Sequence, residues 1–204
     1  MLFDDTYKTV SGFSQGSYRE KGSKFIAFVY PLNSEEAVKE RLAQMRKEYF
    51  DARHHCYAYC LGFDKSAYRI NDDGEPSGSA GRPIYGQIQS NDLTNVLIVV
   101  IRYFGGVKLG IPGLINAYKT ATREAIEANT IVTLTVNEIY QLDFEYPSLN
   151  DVMKILKDES AAILTQDFDN ACRLTFSIRK ASADKIISKI RKIERVSFVF
   201  LGIK

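Results

Sequence analysis

The sequence predicts an α+β protein of two domains, and three observations carry that prediction. The 204 residues are long for one compact domain and comfortable for two small ones. A β-prone connector, Thr130–Asn137, is followed by a fresh start in the hydrophobic pattern. Beyond it, strand and helix periodicities alternate as βαββαβ over roughly 65 residues, the order of a ferredoxin-like motif. The domains are accordingly placed at 1–134 and 135–204.

Each element has a local cause. Tyr18–Glu20 and Lys24–Leu32 read as strands around the turn Lys21-Gly22-Ser23, the second rich in β-branched and aromatic residues. Ser34 caps a helix to about Tyr49, whose acidic first turn, Glu35-Glu36, suits the positive end of the helix dipole. Val38, Leu42 and Met45 form its buried stripe. His55–Gly62 and Ala67–Ile70 read as strands, and Ser79–Ser90 as a short helix after a glycine-rich turn. Asn95–Tyr103 (NVLIVVIRY) is an unbroken apolar run, which implies a strand buried on both faces. Pro112–Ala128 is a helix with proline near its start and a packing face of small residues. In the second domain, Ile139–Tyr146, Ala161–Phe168, Ala171–Ile178 and Arg195–Gly202 are strands, with a hairpin turn at Asp169-Asn170. Ser148–Asp158 and Ala181–Lys192 are its helices.

Composition narrows the function classes. Hydrophobic residues at 45% and charged residues at 25% are ordinary for a globular protein. A net charge of +2 means that any nucleic-acid contact must come from local patches. Three cysteines without a CxxC pair point to a reducing compartment. The start, MLFDDTYKTV, is acidic and lacks an apolar core, so no signal peptide is expected. No run reaches about 18 apolar residues, so no membrane partner is expected, and the location expected is cytoplasmic.

Two segments concentrate chemistry. Arg69 to Gly81 carries Asp72, Asp73 and Glu75 with Ser77 and several glycines between a strand and a helix. Three carboxylates so close together repel, and Arg69, Arg82 and Arg102 are the cations expected to offset them. Arg102 to Gly113 carries Tyr103, Gly105, Gly106 and Lys108 between the buried strand and the next helix. Glycines allow close approach of another molecule, and free amides at a helix start with Arg102 and Lys108 nearby attract an anion. The GK[ST] ending of a Walker loop is missing. A solvated turn remains the alternative for both segments.

The two histidines are adjacent, in Asp51-Ala52-Arg53-His54-His55-Cys56. On a strand their side chains leave on opposite faces and cannot share a metal. No HExxH or paired-cysteine spacing points to zinc, so neither a metal nor a cofactor is expected. Cys56 and Cys60 sit among apolar neighbours and read as buried thiols. In the second domain Lys185, Lys189 and Lys192 recur opposite Ile186, Ile190 and Ile193, a basic face that is solvated or tracks a phosphate backbone.

These motifs resemble the YigZ/IMPACT family. The resemblance rests on Lys21-Gly22-Ser23-Lys24-Phe25, Asp51-Ala52-Arg53-His54-His55, Asn71-Asp72-Asp73-Gly74-Glu75-Pro76-Ser77-Gly78, Ala80-Gly81-Arg82-Pro83 and Arg102-Tyr103-Phe104-Gly105-Gly106-Val107-Lys108-Leu109-Gly110. It implies a first domain like the second domain of ribosomal protein S5 and a second like the C-terminal domain of elongation factor G. It also implies a link to control of translation initiation, known for eukaryotic relatives. Where the family usually reads LGxGGLxRAY, this chain has Pro112 for a glycine and Asn116 for a basic residue, which stiffens the loop and removes one charge.

The function expected first is a non-catalytic binding or regulatory protein that contacts RNA or a ribosome-associated protein. Its binding surface would comprise Asp51, His54, Arg69, Asp72, Asp73, Glu75, Ser77, Arg82, Arg102, Tyr103, Gly105, Gly106 and Lys108. One alternative is a hydrolase-like enzyme acting on a small phosphorylated or peptide substrate through Asp72, Asp73, Glu75 and His54, with the loop of Gly105 and Gly106 holding the anion. Another is a protein-interaction module that needs no nucleic acid. Convergence of those carboxylates and His54 on a concave pocket would favour the enzyme; their use in salt bridges with arginines would count against it.

Overall fold

The computed structural model describes residues 5–168 and 171–204. They form two compact units, Tyr7–Leu134 and Thr135–Lys204, the latter joined by residues 5–6. Both units are α+β.

In the first unit the strands β1 (Thr6–Val10), β2 (Ser14–Glu20), β3 (Ser23–Pro31), β4 (His54–Leu61), β5 (Ala67–Asn71), β6 (Val96–Tyr103) and β7 (Ile131–Thr135) alternate with helices α1 (Glu35–Glu48), α2 (Gly81–Ser90) and α3 (Gly110–Glu127). Five strands make an antiparallel sheet of order β2-β3-β6-β4-β5, and β1 pairs with β7 apart from it. The apolar run of β6 is therefore the central strand, and its alternate side chains serve two cores. Val96, Ile98 and Val100 pack with α2 and α3 on one face, and Leu97, Val99 and Ile101 with α1 on the other. Polar Arg102 continues the first series and is delivered to the α2/α3 face at the end of the strand.

The caps explain two boundaries. Ser34 accepts from the Ala37 amide and starts α1 where the sequence places it. Helix α2 starts at Gly81 rather than Ser79, because its cap comes from a distance. Asp72 Oδ1 accepts from the amides of Ala80 (3.0 Å) and Gly81 (2.8 Å), and Oδ2 from Gly78 (2.8 Å). A carboxylate on the first free amides of a helix is a favourable partner for them. Strand β1 and the start of β2 carry no distinct apolar signal; pairing with a neighbour makes them strands.

The second unit orders its strands β11 (Val196–Ile203), β8 (Asn137–Phe144), β10 (Cys172–Arg179) and β9 (Ala162–Asp167), all antiparallel. Helices α4 (Leu149–Asp158) and α5 (Lys180–Ile190) supply the rest of the βαββαβ order. The predicted turn residues Asp169 and Asn170 lie outside the described residues. Tyr140, Leu142, Phe144, Leu174, Phe176 and Ile178 project to the core with Val152, Leu156, Ile186 and Ile190 of the helices. Among the described residues no helix is long and apolar enough to cross a membrane.

Candidate functional site: a cation-lined cleft around Glu75

One buried carboxylate organises the first unit's site. Asp73 (φ 43°) and Gly74 (φ 86°) take left-handed backbone and turn the chain so that Glu75 points inward. Glu75 Oε1 accepts from Arg102 Nη1 at 2.6 Å and from the Tyr118 hydroxyl at 2.8 Å. The Glu75 and Arg102 side chains are only 3% and 7% exposed, so this pair is shielded from water. Tyr118, on α3, also lies 3.2 Å from Cys56 Sγ, which is 3.0 Å from the Asp72 carbonyl oxygen. Strands β4 and β6, the acidic loop and α3 thus meet at one polar network inside an apolar layer.

The Arg102 guanidinium lies over the rings of Phe25 (5.4 Å) and Phe104 (5.7 Å), within cation–π range. Its Nε is buried without a hydrogen-bond partner among the described residues. A buried donor left unmade costs about 1–3 kcal/mol, so this one stands out.

His54 donates from Nδ1 to the Asp73 carbonyl oxygen at 2.8 Å, because a carbonyl can only accept. In neutral His54 that leaves Nε2 as an acceptor, 3.9 Å from Glu75 Oε1. His55 faces the other way: its Nε2 donates to the Tyr49 carbonyl oxygen at 3.1 Å. The strand geometry expected of adjacent histidines is what the structure has.

These groups wall a cleft of about 480 Å³. Its polar side chains are Arg53, His54, Glu75, Arg102 and Lys108; its apolar wall includes Pro76, Phe104, Leu109, Ile111 and Leu114. Arg53 and Lys108 are exposed, so their charge is available at the mouth. Helix α3 begins at the cleft with Gly110, and Leu109 at its cap makes no side-chain cap bond. Its first-turn amides have no intrahelical acceptor.

The structure sorts the expected surface residues. His54, Glu75, Arg102 and Lys108 come together in the cleft. Asp72 and Asp73 do not line it. Asp72 is spent on backbone amides, and Asp73 on the Arg46 guanidinium (2.8 Å) and the His55 amide (2.6 Å). Arg69 and Arg82 stand exposed outside the lining, and the offsetting role expected of them belongs to Arg46 and to those amides. Ser77 is likewise exposed and outside it. Asp51 accepts from the Tyr103 hydroxyl at 2.9 Å, a pair of its own away from the lining. Gly105 and Gly106 shape the loop without lining the cleft. Gly105 presses on the Lys21–Ser23 turn and donates its amide to Ser23 Oγ at 3.1 Å.

Four participants escaped the reading of the sequence. Arg46 lies on α1 with no local sign of its distant partner. Arg53 was visible only as a neighbour of the histidines. Phe104 lies within the glycine loop. Tyr118 carried the best signal: a large side chain with a polar tip on a helix face of alanines needs a buried partner for its hydroxyl. In the second unit, the basic face proves mixed. Lys185 and Lys189 both pair with Glu159, at 2.9 and 2.5 Å, and Lys189 and Lys192 border a groove with Asp151 and Asp158.

Titration follows from these contacts. Burial alone would raise the Asp73 carboxyl, but Arg46 and the His55 amide outweigh it and hold the group below its ordinary value. Burial pushes the Cys56 thiol up, which suits a buried thiol and not a nucleophile. Burial, helped by the Arg46 charge, lowers His55. Below about pH 6.5, the ordinary imidazole value, an unfolded chain takes up a proton at His55 that the folded protein refuses. Stability is therefore expected to fall as the pH drops from neutrality, by at most about 1.4 kcal/mol per pH unit from this group. Urea unfolding across that range checks it: His55→Gln, which keeps a donor for Tyr49, should decline less steeply.

Fold and cleft together define a two-domain α+β protein with a cation-lined cleft in its first unit. Residues 21–126 match the model of the Impact N-terminal domain. The chain is 31% identical over 186 residues to the IMPACT family member YigZ of Escherichia coli, covering 90% of this chain and 91% of that protein. It is 31% identical over 153 residues to the IMPACT family member YvyE of Bacillus subtilis, covering 75% and 70%. A crystal structure described as that of a hypothetical protein superposes with a TM-score of 0.72 at 27% identity, covering 97% of this chain and 98% of that one. The chain belongs to the IMPACT family.

Proposed function

We propose that this protein is a binding or regulatory protein of the translation machinery, acting in the cytoplasm and contacting RNA through the cleft. The observation that carries the reading is the convergence of Arg53, Arg102 and Lys108 on the open start of α3, with one carboxylate among them already paired. Cations and free helix amides in one concavity favour a phosphate group. The link to translation rests on the family resemblance and not on the cleft.

Filter binding with ribosomal RNA at low and moderate salt is the test. Lys108→Ala is expected to weaken binding and to reduce the salt slope by about 1, as for one lost phosphate contact. Absence of binding at low salt, or indifference to Lys108→Ala, would sink the reading.

A hydrolase-like enzyme is the second reading, favoured by the meeting of His54 and Glu75 in a concave cleft. Asp72 and Asp73 drop out of it, and the remaining candidate for a general base is His54 Nε2. Phosphate release from small phosphorylated compounds, abolished in His54→Ala, would support it.

A further inference from the structure

We infer that the cleft holds a ribonucleotide bearing a terminal phosphate monoester, either as a free mononucleotide or as the end of an RNA strand. This rests on the anion-binding reading above and narrows it.

Three walls of the cleft have three different chemistries. The first is cationic: Arg53, Lys108, Arg102 and the uncapped start of α3. Arg102 is the informative member. Its side chain is 7% exposed, Nη1 is held by Glu75, and Nε has no acceptor among the described residues. Arg102 lines the cleft, so a phosphate oxygen that reached Nε would supply the missing acceptor. A monoester carries about −1.5 to −2 charge and three terminal oxygens, against the single charge of an internal diester, so it answers several donors at once.

The second wall accepts. His54 Nε2 stands 3.9 Å from Glu75 Oε1, which Arg102 and Tyr118 already occupy. His54 Nε2, an acceptor in the neutral ring, asks for a ligand hydroxyl or N–H, which a ribose or base edge carries and inorganic phosphate at neutral pH offers poorly. The third wall, with Phe104, Leu109 and Ile111, is apolar and suits the face of a base.

Size agrees. About 480 Å³ lies within the range of small-molecule pockets, and it is concave. A duplex presents its phosphates on a convex surface and cannot seat one on every wall. A strand end or a single nucleotide can.

Competition anisotropy at low salt tests this, using one short single-stranded oligoribonucleotide in four forms: 5′-phosphate, 3′-phosphate, hydroxyl at both ends, and circular. AMP and inorganic phosphate serve as free competitors. One phosphorylated form is expected to bind at least about tenfold tighter than the hydroxyl-ended and circular forms, the scale of one strong charge-assisted contact. Lys108→Ala and Arg53→Ala, both at exposed positions, should erase that difference. Competition by AMP identifies the free nucleotide as a source; failure of AMP beside a strong end preference identifies the strand end. Equal binding of circular and phosphorylated RNA, still dependent on Lys108, overturns the inference and leaves the RNA reading standing. Competition by inorganic phosphate as strong as by AMP overturns the nucleotide assignment. No binding of any RNA form or of AMP overturns both.

Discussion

Glu75→Ala is expected to destabilise the protein by about 3–5 kcal/mol, the usual cost of removing one partner from a buried ion pair. The reason lies in what is left behind. Arg102 is buried at the end of the central strand, with Nη1 bound to Glu75 and Nε already without a partner. Without the carboxylate, its charge has the two aromatic rings and little else. The Tyr118 hydroxyl loses its acceptor at the same time. Urea unfolding of wild type and variant measures the loss. The double variant Glu75→Ala with Arg102→Met should recover a large part of it, because both charges are then gone and the layer around them is apolar. If the double variant is no more stable than the single one, the network and not the unpaired charge dominates.

Gly105→Ala is the second large effect. A Cβ there would stand 1.9 Å from the Gly22 carbonyl carbon and 2.1 Å from the Ser23 nitrogen. Both are backbone atoms in a tight turn, so neither can swing aside as a flexible side-chain end would. Overpacking of this kind costs about 1–3 kcal/mol and sometimes more, and the upper end is expected here. Gly106→Ala makes the comparison. Its would-be Cβ meets open space, but its φ of 87° is strained for alanine, which predicts a loss of only about 1–2 kcal/mol. Thermal unfolding of the two variants should rank them in that order. The ranking separates a glycine needed for contact from one needed for conformation, a distinction the Gly-Gly pair does not show by itself.

The legible part of the fold was that governed by local physics. Ser34 with its acidic first turn started α1; the apolar run of β6 marked a central strand; the βαββαβ order of the second unit followed from periodicity. β1 was missed because five residues without a strong pattern become a strand only by pairing. The start of α2 was misplaced because its capping carboxylate, Asp72, lies eight residues before Ala80 in the chain and no short-range cap rule reaches it.

The site shows the same division. Composition and order placed a carboxylate cluster, a glycine loop and two histidines near one another in sequence. Nothing in that order distinguishes Glu75 from Asp72 and Asp73. The three are separated by where a turn with two left-handed residues sends each side chain. One carboxylate caps a helix, one binds Arg46, and one enters the cleft.

By itself, then, the sequence determined the α+β elements, the central strand, the opposite directions of His54 and His55, and a charged glycine-rich surface near Arg102. All of these follow from backbone periodicity and from which residue types tolerate a turn. Only the tertiary structure decided which charges remain unspent. Whether a carboxylate or a guanidinium is neutralised depends on distant partners, as Arg46–Asp73, Arg102–Glu75 and Tyr118–Glu75 show at separations of 27, 27 and 43 residues. Coulomb and hydrogen-bond energies depend on distance in space, and the fold alone sets that distance.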